Sequence, residues 1–484
     1  MKQLLFLILS LPALHGLAQT PLSISFDSLT AAYENAGYHG VILVARGNQV
    51  LYEKGYGYAN FEEKIRHIPT TLFKTESVGK MFTATAILQL VESNKLRLSQ
   101  TIEELLPELK ISTAGKISVD HLLKHTSGLQ SPWDHPQWHF GKDYTRAELI
   151  KIIEEVPLAF DTPGKEMFYS NSGYVVLGWI IEKATGKPFD QYFQENFFTP
   201  LGMTATRHLG DTSMPAKAGA QPYQVISSKK FITMRKTLGP KAGAAGGWIS
   251  TAKDLHRFLY ALSNGKLLKP ATWEIMKTAN NTAPKDSAYR FYAYGLETFI
   301  NQYIPGTSIY GHNGGGAGFS VDAYVDPATG YIVASCTNLY QNSRPIAVNY
   351  LKLAMGKSLS PVRKLLTVRL YDLIDSVGMD NFVQNAAGYF KQIDVTDVHP
   401  GVFAQVSEAM QAAGDFGLCT KWMELARKYF PDEGYLWILS GDNRLRAGNK
   451  EEAKKLFEMA KDVGSKRRDE RAVKMAEEKL RNLR

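Results

Sequence analysis

Ser77 and Lys80 stand three residues apart in the run Phe73-Lys74-Thr75-Glu76-Ser77-Val78-Gly79-Lys80-Met81. On a helix, positions i and i+3 share a face, so the Lys80 amine can reach the Ser77 hydroxyl. A lysine taken out of water loses its preference for the charged form and can then accept a proton. A serine beside such a base is an activated nucleophile. A helix start also offers free backbone N–H groups where negative charge would develop. A Ser and a Lys at this spacing usually mark a solvated face, but here Phe73, Met81 and Phe82 crowd the pair with apolar neighbours. A second cluster is Phe168-Tyr169-Ser170-Asn171-Ser172-Gly173-Tyr174. Tyr169 and Asn171, two apart on an expected loop, point the same way and offer a phenol for acid/base work and an amide to polarise a substrate. A third is Tyr310-Gly311-His312-Asn313-Gly314-Gly315-Gly316, expected on a strand that enters a hairpin. Glycines there let a ligand backbone approach closely, and one amide could complete an oxyanion hole with the amide of Ser77.

These residues need a scaffold, and the chain supplies its signals. Val41-Ile42-Leu43-Val44 and Val50-Leu51-Tyr52 flank a Gly47-Asn48 turn, which predicts a β-hairpin over 40–57. Apolar runs predict helices from Met81 to Leu90 and from Tyr174 to Ala184, and Thr251-Ala252-Lys253-Asp254 reads as a helix start. Strands return near residue 310, with Phe319, Val321, Ala323 and Val325 alternating with other residues, then Tyr331 to Cys336. Strands at both ends of a helical middle predict an α+β fold whose terminal strands share one sheet. From residue 359 onward no strand signal remains. Gly414, Met423 and Ala426 recur 34 residues later as Gly448, Phe457 and Ala460, and Trp437, Gly441 and Ala453 sit at tetratricopeptide offsets. This predicts an all-α helical-repeat domain over 359–484, where a plain helical extension is the simpler reading.

Taken together, S-x-x-K, then Y-x-N about 90 residues on, then H-x-G about 140 later, resembles the serine β-lactamase and penicillin-binding protein superfamily, in its class-C-like branch. Asp120-His121-Leu122-Leu123-Lys124-His125-Thr126-Ser127-Gly128-Leu129, Pro200-Leu201-Gly202-Met203 and Gly246-Gly247-Trp248-Ile249-Ser250-Thr251 also match, and the likeness covers roughly residues 25–355. The resemblance implies an α+β serine β-lactamase/DD-peptidase-like domain over 19–358, an antiparallel sheet with flanking helices plus a helical subdomain. It casts Ser77 as the acylated nucleophile, Lys80 as its activating partner and Tyr169 as the proton shuttle to the leaving group. Asn171 would contact the substrate amide, and Gly315 would give the second oxyanion amide beside Gly314. His312 stands where class C β-lactamases carry a lysine that binds the β-lactam carboxylate, so β-lactamase activity is not the first expectation. The expected activity is hydrolysis of an ester or a peptide/amide, with a D-amino-acid-containing substrate in view. The alternatives are a β-lactamase and a catalytically silent sensor.

Composition closes off other classes. The chain has 484 residues, 44% apolar and 21% charged, with a net charge of +9 spread along its length. That is a globular balance with no basic block for nucleic acid. Cys336 and Cys419 are the only cysteines and are expected to be free thiols. No H-E-x-x-H occurs, and His121 and His125 read as structural, so no metal and no cofactor is expected. Residues 1–18 combine Lys2, an apolar stretch over 4–14 and Gly16-Leu17-Ala18, a signal-peptide pattern. Export to the periplasm or the medium follows as an expectation, with no membrane span in the mature chain. The expected partners are a small-molecule or peptide substrate and, through the helical repeats, a protein.

Overall fold

The computed structural model describes residues 21–139, 141–208, 218–235, 243–277, 292–316, 318–340, 343–395 and 397–483. The signal-peptide expectation for 1–18 lies outside them. The centre is a six-stranded antiparallel sheet in the order 49–56, 40–46, 331–337, 319–326, 308–316, 297–300. The strand Gly40–Arg46 lies between its hairpin partner Gln49–Tyr56 and the distant Tyr331–Thr337, with Val41 opposite Cys336 and Leu43 opposite Ala334. The terminal strands thus share one sheet, as the sequence predicts.

Both faces of this sheet are covered, which explains the unbroken apolar run at 41–45. Val41, Leu43 and Ala45 point into a core shared with the helices Lys80–Glu92, Asn171–Thr185 and Ala252–Ser263. Ile42 and Val44 point the other way, against Phe26, Leu29 and Tyr33 of Pro21–Asn35 and Ile346, Tyr350 and Leu351 of Arg344–Ala354. Ser320 and Asp322, polar on a strand buried along its whole length, are satisfied by the Ser343 hydroxyl, which lies 2.8 Å from Ser320 Oγ and also bonds the Asp322 carboxylate. Lys80–Glu92 is the central helix, with all of residues 80–88 buried.

Beyond residue 354 the described chain is helical. Pro400–Ala412 and Phe416–Tyr429 form one antiparallel pair, Gly434–Arg446 and Lys450–Arg467 the next, and Glu470–Asn482 follows. Each helix of the second pair starts 34 residues after its counterpart. Gly414 and Gly448 end the first helix of each pair with φ of 76° and 81°. Met423, Ala426, Phe457 and Ala460, the positions singled out for their recurrence, are all buried. Cys336 and Cys419 are free and buried. No described helix is long and apolar enough to cross a membrane.

Candidate active site

The nucleophile motif folds as a single 3-10 turn, Glu76–Gly79, that runs directly into the helix Lys80–Glu92. Ser77 is therefore just outside the regular helix, partly exposed, while Lys80 is its first residue and fully buried. Three oxygens surround the Lys80 amine: Ser77 Oγ at 3.0 Å, Asn171 Oδ1 at 2.6 Å and the Ala245 carbonyl at 2.7 Å. The last two can only accept. A neutral amine has two protons and one lone pair. Both protons then go to Asn171 and Ala245, and the lone pair is left facing the Ser77 hydroxyl. Burial holds the Lys80 pKa well below the usual lysine range, opposed only by the Glu76 carboxylate. Geometry and electrostatics together suit Lys80 to accept a proton from Ser77.

The second cluster closes over this pair. Ser170 caps the helix Asn171–Thr185, its hydroxyl accepting from the Gly173 N–H at 3.0 Å. Asn171 is accordingly the first residue of a helix, not a loop residue as expected. Its Nδ2 and its backbone N–H both donate to Ser131 Oγ, at 3.2 and 3.1 Å, which turns Oδ1 onto Lys80. Tyr169 is half-buried, with the Lys80 amine 4.9 Å from its ring centre.

The third cluster lies on the strand Ser308–Gly316, where alternation puts His312, Gly314 and Gly316 on the side of the nucleophile turn. At Gly314 a Cβ would come within 2.1 Å of the Thr75 carbonyl and 3.0 Å of the Ser77 amide. Only a residue without a side chain lets the strand backbone lie this close to the nucleophile. A Cβ on Gly315 would meet nothing within 4 Å. The strand and the turn thus place the backbones of Ser77 and of Gly314–Gly315 side by side, as two oxyanion-hole amides require. Gly314→Ala should displace the turn and lower kcat/KM by about 10²-fold, the scale of a misplacement near 1 Å. Steady-state kinetics on a small ester, with a melting curve to confirm the fold, checks this.

His312, which the resemblance places among the substrate-binding residues, is turned into the protein. Its side chain is buried, Nδ1 hydrogen-bonds the Asn313 carbonyl, and Nε2 lies 3.0 Å from the Tyr292 hydroxyl. A carbonyl cannot donate, so Nδ1 carries the proton and Nε2 accepts from Tyr292. Both nitrogens are committed within the protein. Burial pushes the His312 pKa down to about 3, with Lys80 acting in the same direction. The imidazole is neutral at physiological pH and supplies no cation to the cleft.

Two contributors carry no signal that a motif search would use, and a third, His125, lies in the matched 120–129 segment but reads from sequence only as structural. The Ala245 carbonyl is backbone. Ser131 acts only through Asn171. His125 is buried with φ of 60°, and its Nδ1 accepts from the Ser170 N–H at 3.0 Å. Its ring lies 4.2 Å from that of Tyr169 and 4.7 Å from that of Tyr292. His121, by contrast, closes a capping box with Ser118, the structural role expected of it. Glu76, next to the nucleophile, has φ of 46°, and its carboxylate lies 3.8 Å from the buried Lys74 amine. Among the described residues no cluster of three His, Cys, Asp or Glu could hold a metal.

The Beta-lactamase family model matches residues 26–354. The chain belongs to the beta-lactamase family. Among solved structures, this family member resembles the octameric penicillin-binding protein homologue from Pyrococcus abyssi. The TM-score is 0.60 and the identity 26%, over 69% of this chain and 77% of that one. It also resembles D-amino acid amidase from Ochrobactrum anthropi SV3. There the TM-score is again 0.60 and the identity 25%, over 69% of this chain and 99% of that one. Among curated proteins, protein flp from Staphylococcus aureus is 26% identical over 313 residues, 64% of this chain and 61% of that protein. The helical residues beyond 354 lie outside the family match.

Proposed function

We propose that this beta-lactamase-family chain is an exported serine hydrolase that cleaves an ester or a peptide/amide through an acyl-enzyme. The observation that carries the reading is the buried Lys80 amine, 3.0 Å from Ser77 Oγ and held by two acceptors, Asn171 Oδ1 and the Ala245 carbonyl, so that the neutral amine turns its lone pair to Ser77. In the proposed cycle Lys80 takes the Ser77 proton as Oγ attacks the carbonyl. The amides of Ser77 and Gly315 hold the oxyanion. Tyr169 carries a proton to the leaving group and then activates the water that frees the enzyme. Asn171 keeps Lys80 oriented and borders the substrate amide. The likeness to a D-amino acid amidase supports an amide substrate with a D-amino-acid residue on the acyl side. An intact Ser77–Lys80 contact disfavours the silent-sensor alternative.

The β-lactamase alternative is disfavoured by His312. Where a lysine would keep its charge to about pH 10.4, this imidazole is neutral and turned inward. Small p-nitrophenyl esters should therefore be hydrolysed with kcat/KM well above that for nitrocefin. Nitrocefin turnover equal to or above ester turnover would establish the β-lactamase reading instead. Catalysis requires Lys80 unprotonated, so kcat/KM should rise with pH on the acid side and level off above the lowered Lys80 pKa. No further limb from His312 should appear between pH 5 and 9. A fluorophosphonate probe followed by peptide mapping, together with a panel of esters, nitrocefin and D-Ala-D-Ala peptides, tests the reading.

Export follows from the pattern in residues 1–18, and N-terminal sequencing of the secreted chain would locate the cut expected after Ala18. The two helix pairs at period 34 are proposed to be tetratricopeptide-like and to engage a protein partner.

A further inference from the structure

One hairpin ties the helical segment to the catalytic strand. It consists of Tyr223–Val225 and Phe231–Thr233. Its base is fixed beside the strand that carries Gly314 and Gly315. Gly318, in the turn that follows that strand, has φ of 84°, and a Cβ there would come within 2.5 Å of Pro222 Cβ and 2.6 Å of the Tyr223 nitrogen. The Tyr223 N–H donates to the Asn338 carbonyl at 3.0 Å, and the Tyr340 N–H donates to the Tyr223 carbonyl at 2.8 Å. The Gln221 N–H donates to the Ala59 carbonyl at 2.7 Å. The Tyr223 ring is fully buried, and its hydroxyl accepts from the Phe61 N–H at 3.1 Å.

The tip of the same hairpin is held by the helical segment. Ile226 is fully buried in one apolar cluster with Leu370, Tyr371, Ile374 and Met410, and Ile232 packs against it. The Ser228 N–H donates to Asp372 Oδ1 at 2.8 Å and its hydroxyl bonds the same carboxylate. Lys364 Nζ reaches Ser228 Oγ at 2.9 Å. Lys230 Nζ lies 3.0 Å from Asp415 Oδ2, an oxygen shared with the Tyr371 hydroxyl. The hairpin is a strut, with one end on the catalytic strand and the other inside the helical segment.

The site's chemistry says which part of a substrate the strut faces. In the proposed cycle Tyr169 marks the leaving-group end, because the leaving group is protonated there. The remainder of the acyl group must then run the other way, along Gly315 and Gly316 toward the Gly318 turn. Gly315 faces open space on that path, and the strut's base abuts the turn that ends it. We propose that the helical segment sets acyl-side specificity, by holding the 223–233 hairpin against the far end of the catalytic strand. This rests on the acyl-enzyme reading above. Pro222 and Tyr223, both buried, back the Gly318 turn at the end of that side, while Ser228 and Lys230 anchor the hairpin to Asp372 and Asp415.

The test uses the full chain carrying Asp372→Ala and Asp415→Ala, whose contacts are to Ser228, Lys364, Lys230 and Tyr371 and not to Ser77, Lys80 or Tyr169. Two p-nitrophenyl esters, acetate and hexanoate, vary the acyl group. Phenyl acetate varies the leaving group. Hydrogen exchange reports on the amides of 223–233. The hairpin amides should exchange faster, and the hexanoate-to-acetate ratio of kcat/KM should change at least about 10-fold. The ratio for the two acetates should stay constant, because the Tyr169 end is untouched. A merely structural loss would lower all three rates together, and that result would overturn the proposal. Unchanged hairpin exchange would overturn it as well, since the carboxylates would then not be holding the strut. A wild-type chain that turns over none of the three esters and takes no fluorophosphonate would remove the acyl-enzyme reading itself. Active wild type with an unmoved acyl ratio removes only the strut's role.

Discussion

Ser77→Ala is expected to abolish turnover and fluorophosphonate labelling while leaving the melting temperature essentially unchanged. The substitution removes one partly exposed oxygen whose contact is to Lys80 Nζ at 3.0 Å. Lys80 keeps Asn171 and Ala245, so no buried donor loses all its partners. Without Oγ there is no atom for the acyl group to join, and only the oxyanion amides and substrate binding remain. Losses on removing such a nucleophile are on the order of 10⁶-fold in kcat. Mass spectrometry of the probe-treated chain gives a direct reading: a mass shift in wild type, none in the variant. Labelling that survives in Ser77→Ala would move the nucleophile elsewhere.

Lys80→Ala should cost roughly 10²–10⁴-fold in kcat/KM, and so should Tyr169→Phe, the scale of lost general acid/base catalysis. The double variant should fall far short of the product of the two losses, because both residues serve one proton path. Independent, multiplying losses would argue against that path. Lys80→Ala carries a second cost that Tyr169→Phe does not. It strands Asn171 Oδ1 and the Ala245 carbonyl in a buried site, so the melting temperature should fall as well. The sign of the linkage is also checkable. Unfolded Lys80 binds its proton up to about pH 10.4, and the folded chain releases it at lower pH. Unfolding therefore takes up a proton between the two values, and Lys80 makes stability rise with pH across that window.

What the sequence disclosed and what it withheld follow from the range of the interactions involved. Ser77 and Lys80 were legible because a spacing of three brings them together on any helical turn, here the 3-10 turn that leads into the helix. The 40–57 hairpin was legible from Gly47-Asn48, and the period of 34 from small and aromatic residues that recur where helices touch. The start of the helix at Asn171 is signalled by Ser170 three residues before Gly173, whereas the apolar run itself begins only at Tyr174. The inward turn of His312 was not legible, because it depends on Tyr292, twenty residues away, and on the Asn313 carbonyl. The Ala245 carbonyl has no side-chain code at all. The hairpin's attachment to the helical segment joins Ser228 to Asp372, 144 residues apart, and nothing local foretells it.

The pairing of Val41 with Cys336 has a consequence for the order in which this molecule comes into being. The strand Gly40–Arg46 can form its hairpin with Gln49–Tyr56 at once, but its other edge must wait for Tyr331–Thr337. At ribosomal speeds of about 5–20 residues per second, that delay is on the order of tens of seconds. During it, the apolar row Val41–Ala45 has one unpaired edge, and Ser77, Tyr169 and Gly314 belong to no common surface. Non-local pairing of this kind is intrinsically slow to nucleate. Nascent chains stopped short of Thr337 should therefore be inactive and dependent on holding factors. Competence should appear abruptly once the last central strand and the helix Arg344–Ala354 that covers it are both available.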